Sequence, residues 1–162
     1  MHMTIRSAAH MRSLGGAIAR ALPQTLAQPL FIALYGDLGA GKTTLVSGAL
    51  EALGLASHAR SPTYTLIEPY EAAQVRVYHL DLYRLVDASD LEMLGVRDLL
   101  NSQSVLFIEW PERGAGFLPT PGVAIRIAYA GEGEREVALQ AHDLRGHELL
   151  SAVMSQISLL SL

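Results

Sequence analysis

The sequence predicts an α/β fold, a three-layer α/β/α sandwich around a mixed sheet, and three observations carry that expectation. Short apolar runs alternate with stretches of helical periodicity, as where residues 30–35 are followed by 43–53. Residues 105–108 are continuously apolar, the mark of a strand covered on both faces of a sheet. Two pairs of β-branched and aromatic segments lie close enough along the chain to form hairpins, so the sheet mixes parallel and antiparallel strands.

Taken in order, Ser7 is placed to cap a helix whose apolar face is Met11, Leu14, Ile18 and Leu22, before Pro23 ends it. The strand at 30–35 leads into a helix presenting Leu45, Val46, Ala49, Leu50 and Leu53, closed by Gly54. A polar loop at 57–63 ends in Ser61-Pro62-Thr63. Residues 64–70 and 75–83 read as a hairpin across Glu71-Ala72-Ala73-Gln74. Asp87 caps a short helix running through Leu94, and a second short helix covers 96–100. Residues 111–122 hold three prolines and three glycines and read as loop. Segments 123–129 and 136–141 make a second hairpin around Gly131-Glu132-Gly133. The last helix carries Leu149, Leu150, Val153, Met154 and Ile157 on one side. Met1 and His2, ahead of Met3, read as a cloning remnant and are left out of the fold reading. One domain over residues 1–162 is expected, without repeat or linker.

Half of the 162 residues are apolar and 17% are charged, which excludes a disordered or coiled-coil chain. A net charge of −4 argues against a protein that grips nucleic acid alone, because neutralising phosphates takes clustered Lys and Arg. The absence of cysteine excludes disulfides and thiolate zinc sites. No apolar stretch approaches the length of a membrane span and no leader pattern is present, so a cytoplasmic protein with no membrane partner is expected.

Residues 36–43 read Gly36-Asp37-Leu38-Gly39-Ala40-Gly41-Lys42-Thr43, an unbroken phosphate loop between strand and helix. Its N–H groups and the positive end of the helix dipole suit phosphate oxygens. Lys42 is expected on the β- and γ-phosphates and the Thr43 hydroxyl on Mg²⁺, with Gly36, Gly39, Ala40, Gly41 and Thr44 completing the cradle. The fold class is therefore that of a P-loop NTPase. A carboxylate from a neighbouring strand has to serve the metal, and Glu109 follows the apolar run 105–108 where a Walker B acid belongs. Asp81 ends another strand in His79-Leu80-Asp81-Leu82-Tyr83-Arg84. It either holds a metal water, orients the attacking water or pairs with Arg84. His79 reads as a polar strand residue. Thr63 belongs to a nucleotide-sensing loop. Trp110, the only tryptophan, stands beside the metal carboxylate and is read as contacting nucleotide or plugging the core. All these residues lie at strand ends or just after them, where ligands of such sheets bind.

These motifs, with Leu91-Glu92, Gly95-Val96-Arg97-Asp98 and Leu118-Pro119, resemble in order and spacing the bacterial TsaE (YjeE) family over roughly residues 10–130. The resemblance implies an ATPase required for N6-threonylcarbamoyladenosine at position 37 of tRNAs that read codons beginning with adenine. It implies that the chain does not perform the transfer. Instead it binds the TsaB–TsaD heterodimer, where TsaD is the transferase, and resets it by ATP hydrolysis. tRNA is reached only through that complex. It also implies that Lys42 contacts phosphates, Thr43 and Glu109 serve Mg²⁺, Asp81 supports hydrolysis, and adenine contacts come from near the first helix and last hairpin. The alternative reading is a small-molecule or nucleotide kinase, which would need an acceptor site and an arginine-bearing lid. A module that binds nucleotide without cleaving it is the third.

Overall fold

A computed structural model describes residues 1–23, 26–55, 65–72, 75–100 and 103–160. Seven strands form one mixed sheet: β1 (His2–Ile5), β2 (Leu30–Tyr35), β3 (Ile67–Glu71), β4 (Arg76–Asp81), β5 (Ser104–Glu109), β6 (Val123–Gly131) and β7 (Glu134–Ala141). Their spatial order is β1-β7-β6-β2-β5-β4-β3. The central strands β6, β2, β5 and β4 run parallel, so β2, β5 and β4 end at the same edge. The hairpin partners β7 and β3, and β1 beyond β7, pair antiparallel.

Five helices cover the two faces: α1 (Ala8–Arg20), α2 (Lys42–Ala52), α3 (Asp90–Met93), α4 (Val96–Leu100) and α5 (Leu144–Leu160). One apolar cluster joins α1, α2 and α5 to Ile32, Leu34, Val105, Phe107, Ile125 and Val137 of the sheet. A second joins Leu91 of α3 and Val96 of α4 to Phe31, Ala33, Leu80, Leu106 and Ile108 on the opposite face. Successive residues of β2 and β5 thus feed different clusters, the period-two alternation of a strand buried on both sides. The expected three-layer α/β/α arrangement with a mixed sheet is the one observed.

The helix signals act where the sequence puts them, with small shifts. Ser7 Oγ accepts the His10 N–H at 3.1 Å and caps α1, while Met11, Leu14 and Ile18 are buried beneath it. α1 and α2 approach so closely that a Cβ on Gly15 would strike the Leu45 carbonyl and one on Gly48 the Arg12 backbone. Glycine lets these two backbones meet, and α1 thereby rests on the helix that begins at the phosphate loop.

Five expectations need correction. Met1 and His2 are part of the fold: β1 starts at His2, and the Met1 amino group donates to the Leu139 carbonyl at 2.9 Å. The helix expected from Asp87 begins at Asp90, because Asp87 Oδ1 accepts the Ser89 N–H and hydroxyl and closes a turn ahead of it. The strand expected to reach Tyr83 stops at Asp81, and Leu82–Arg84 is a single 3₁₀ turn. Within the expected loop, Pro111–Gly114 is another such turn. Met154 was expected on the buried side of α5 but is 55% exposed, whereas Leu149 and Val153 are buried.

Candidate functional site

The site begins where β2 ends. Gly36 adopts φ 145°, and a Cβ there would collide with the Ile127 carbonyl of β6, so only glycine lets the chain turn so close to the neighbouring strand. Gly41 takes the left-handed N-cap position and α2 starts at Lys42. The loop between them is braced from the β6–β7 hairpin. The Tyr129 hydroxyl donates to the Leu38 carbonyl at 2.9 Å and Arg135 Nε to the Ala40 carbonyl at 3.2 Å. The Arg135 guanidinium lies 4.0 Å over the Tyr129 ring, so the two braces support each other. These contacts fix the loop from the hairpin side, and within it the Ala40 N–H donates to the Asp37 carbonyl at 3.1 Å.

Lys42 is 4% exposed. Its Nζ donates to the carbonyls of Gly36 at 2.6 Å and Asp37 at 3.0 Å, and lies 4.1 Å from the centroid of the Trp110 ring. Burial pushes its pKa below the usual lysine value, while the nearby carboxylates of Glu109 and Asp81 pull it back up. Trp110 is therefore beside the lysine rather than deep in the core. Its backbone has φ 57°, and Leu66 has φ 59°. These are the two non-glycine residues with positive φ among the described residues, and both line the same cavity. Backbone strain gathered at one concavity points to function there.

That cavity, of about 470 Å³, is bounded by Gly39, Gly41, Lys42, Thr43, Thr44, Asp81, Glu109 and Trp110, with Leu38, Leu66, Tyr83 and Arg84 around them. Its size suits a small-molecule ligand. Asp81 and Glu109 occupy opposed register positions at the ends of β4 and β5. Asp81 Oδ1 accepts the Tyr83 N–H at 3.0 Å. Glu109 is 2% exposed, and its Oε1 accepts the Thr43 hydroxyl at 2.8 Å. The same oxygen lies 2.8 Å from His79 Nε2. Behind the loop, a smaller cavity of about 120 Å³ lies between Ser7, Met11, Ala40, Thr44, Gly133 and Arg135.

The structure thus brings Lys42, Thr43, Thr44, Asp81, Glu109, Trp110, Gly39 and Gly41 to one cavity. Gly36 shapes the turn below it, and Ala40 faces the smaller cavity behind. Thr63, with Ser61 and Pro62, lies outside the described residues. Sequence reasoning missed the contact of His79 with Glu109 and the Tyr129–Arg135 brace. The histidine was findable, because residues two apart on a strand share a face and His79 precedes Asp81 by two. The brace left no such mark, since nothing local links Tyr129 to a loop 91 residues earlier.

The sequence model of threonylcarbamoyl adenosine biosynthesis protein TsaE matches residues 5–137. The tRNA threonylcarbamoyladenosine biosynthesis protein TsaE of Haemophilus influenzae is 44% identical over 123 residues, 76% of this chain and 77% of its own. Its Bacillus subtilis counterpart is 38% identical over 125 residues, 77% of either chain. The crystal structure of Bacillus subtilis YdiB superposes with a TM-score of 0.80 at 26% identity, covering 96% of this chain and 95% of that one. With most of its length matched by the model and by both relatives, the chain belongs to the TsaE family.

Proposed function

We propose that the chain is a Mg²⁺-dependent ATPase acting in tRNA threonylcarbamoyladenosine biosynthesis, where it works on a TsaB–TsaD complex rather than on tRNA directly. The observation that carries this reading is the junction of Thr43 with Glu109 at 2.8 Å, beside Lys42 and opposite Asp81. A hydroxyl at the start of a phosphate-loop helix and a carboxylate at the end of the neighbouring strand are hard oxygen donors suited to Mg²⁺. No group of three or more His, Cys, Asp or Glu among the described residues is arranged to hold a metal. That agrees with an ion that arrives with the nucleotide and takes its remaining ligands from phosphate and water. When bound, Mg²⁺ would neutralise charge on the phosphates.

The protein's own part is positioning and electrostatics. The loop N–H groups and Lys42 hold the β- and γ-phosphates, and Asp81 orients a water in line with the bond to be broken. The water oxygen forms a bond to the γ-phosphorus as the bond to the ADP oxygen breaks, yielding ADP and inorganic phosphate. The net charge of −4 supports a route to tRNA through protein partners. The names of the relatives support the pathway.

Product analysis with and without TsaB and TsaD tests this. Free phosphate is expected, slowly from the chain alone and at a changed rate in the complex, with Asp81→Ala losing turnover more than binding. In a reconstituted tRNA modification reaction, omission of the chain should stop repeated turnover. A phosphorylated acceptor would favour the kinase reading, and equal rates with and without partners would contradict the proposed coupling.

A further inference from the structure

Building on the ATPase reading above, we propose that His79 is a positioning residue that fixes the Glu109 carboxylate for the metal. His79 is wholly buried in β4, on the same face as Val77 of the first apolar cluster and two residues before Asp81. Its Nε2 lies 2.8 Å from Glu109 Oε1. Its Nδ1 is buried with no hydrogen-bond partner among the described residues. A histidine kept only to fill that space would be poorly chosen, because leucine fits an apolar layer without burying an unpaired nitrogen. The contact with Glu109 gives the ring a reason to be there.

The geometry of Glu109 shows what the contact does. Oε1 receives both the Thr43 hydroxyl and the His79 ring, while Oε2 has no hydrogen-bond partner among the described residues. Glu109 itself lines the cavity. Two donors on one oxygen hold the carboxylate plane and turn the other oxygen into the natural acceptor for a cation or its water. Thr43 has a second duty, since its oxygen is also expected on the metal. His79 has none, so it is the donor that keeps Glu109 oriented whether or not the cation is present. A glutamate, with one more rotatable bond than the usual aspartate, has more need of such a clamp. For an ionised Glu109, Nε2 must carry the proton and Nδ1 the bare lone pair, which also suits a nitrogen that has nothing to donate to.

The test uses the full chain and two readouts besides turnover. With ADP held constant, Mg²⁺ is titrated against Trp110 fluorescence for the wild type, His79→Leu and His79→Gln, and ADP affinity is measured separately in EDTA. The clamp predicts that His79→Leu weakens apparent Mg²⁺ affinity by about ten-fold while ADP affinity in EDTA stays within about two-fold. His79→Gln, whose amide can donate to the same oxygen, should recover most of the loss. An unchanged Mg²⁺ affinity in folded His79→Leu overturns the clamp, as does an equal fall in both measurements. Should His79→Leu fail to fold, ¹⁵N NMR of the wild-type ring decides. A proton on Nε2, with resonances that move on adding Mg·ADP but not ADP alone, supports the clamp, and a proton on Nδ1 contradicts it. A wild type that binds ADP in neither buffer refutes the ATPase reading, and the clamp falls with it.

Discussion

Lys42 carries opposing demands. Burial lowers its pKa, yet Glu109 and Asp81 nearby, two loop carbonyls and the face of Trp110 all favour the charged ammonium. Such a cation is already buried and fixed in place, so a phosphate meeting it would incur little further cost in ordering. Charge-assisted hydrogen bonds are each worth about 1.5–3 kcal/mol. Lys42→Ala should therefore weaken Mg·ATP binding by on the order of 100-fold, as read by calorimetry. Affinity within a few-fold of wild type would show that nucleotide does not meet this lysine. The residues of the fixed-spacing motif were legible because their chemistry depends on a local turn. Glu109 was legible because four apolar residues followed by an acid is itself a pattern. His79 shares a face with Asp81, which the spacing alone gives, but its contact with Glu109 depends on the register of β4 against β5, where it sits opposite Phe107.

At the scale of elements, caps and periodicity decided most boundaries, and α5 offers the clearest test. Asp143 Oδ1 accepts the Gly146 N–H at 2.7 Å just ahead of the helix, and Arg145 lies 2.9 Å from Oδ2. Partial burial works to raise the Asp143 pKa, but the Gly146 N–H and the Arg145 guanidinium outweigh it and hold the carboxyl below its usual range. A carboxyl with a depressed folded pKa stabilises the protein above the ordinary carboxylate range, and that contribution is lost as the pH falls through the folded value. Asp143→Ala should thus cost about 1 kcal/mol at neutral pH, the usual worth of an N-cap. In urea melts the gap between the two proteins should shrink on acidification; a gap that widens in acid would contradict the cap. The shifted start of α3 has the same physical origin, since Asp87 spends its acceptor on Ser89. β1 escaped the reading for another reason. Four residues at a sheet edge carry too little pattern, and what makes them a strand is pairing with β7, residues 135–138, at the far end of the chain.

For the whole molecule, the decisive arrangement is the parallel core. Strands β2, β5 and β4 end together, so loop, glutamate and aspartate converge although they come from three separate parts of the chain. Alternating strands and helices announced the layers. The strand order did not follow from local sequence, and with it went the flanking of the phosphate loop by β6 and β7. Among the described residues no helix is long and apolar enough to cross a membrane. The most direct measurement is a crystal structure of the chain with Mg²⁺ and a non-hydrolysable ATP analogue. The triphosphate should lie along residues 36–43 with Lys42 Nζ on its oxygens, Thr43 and Glu109 facing the metal, and Asp81 facing a water near the γ-phosphate. An analogue bound elsewhere, or acids turned away from the metal and that water, would contradict the account.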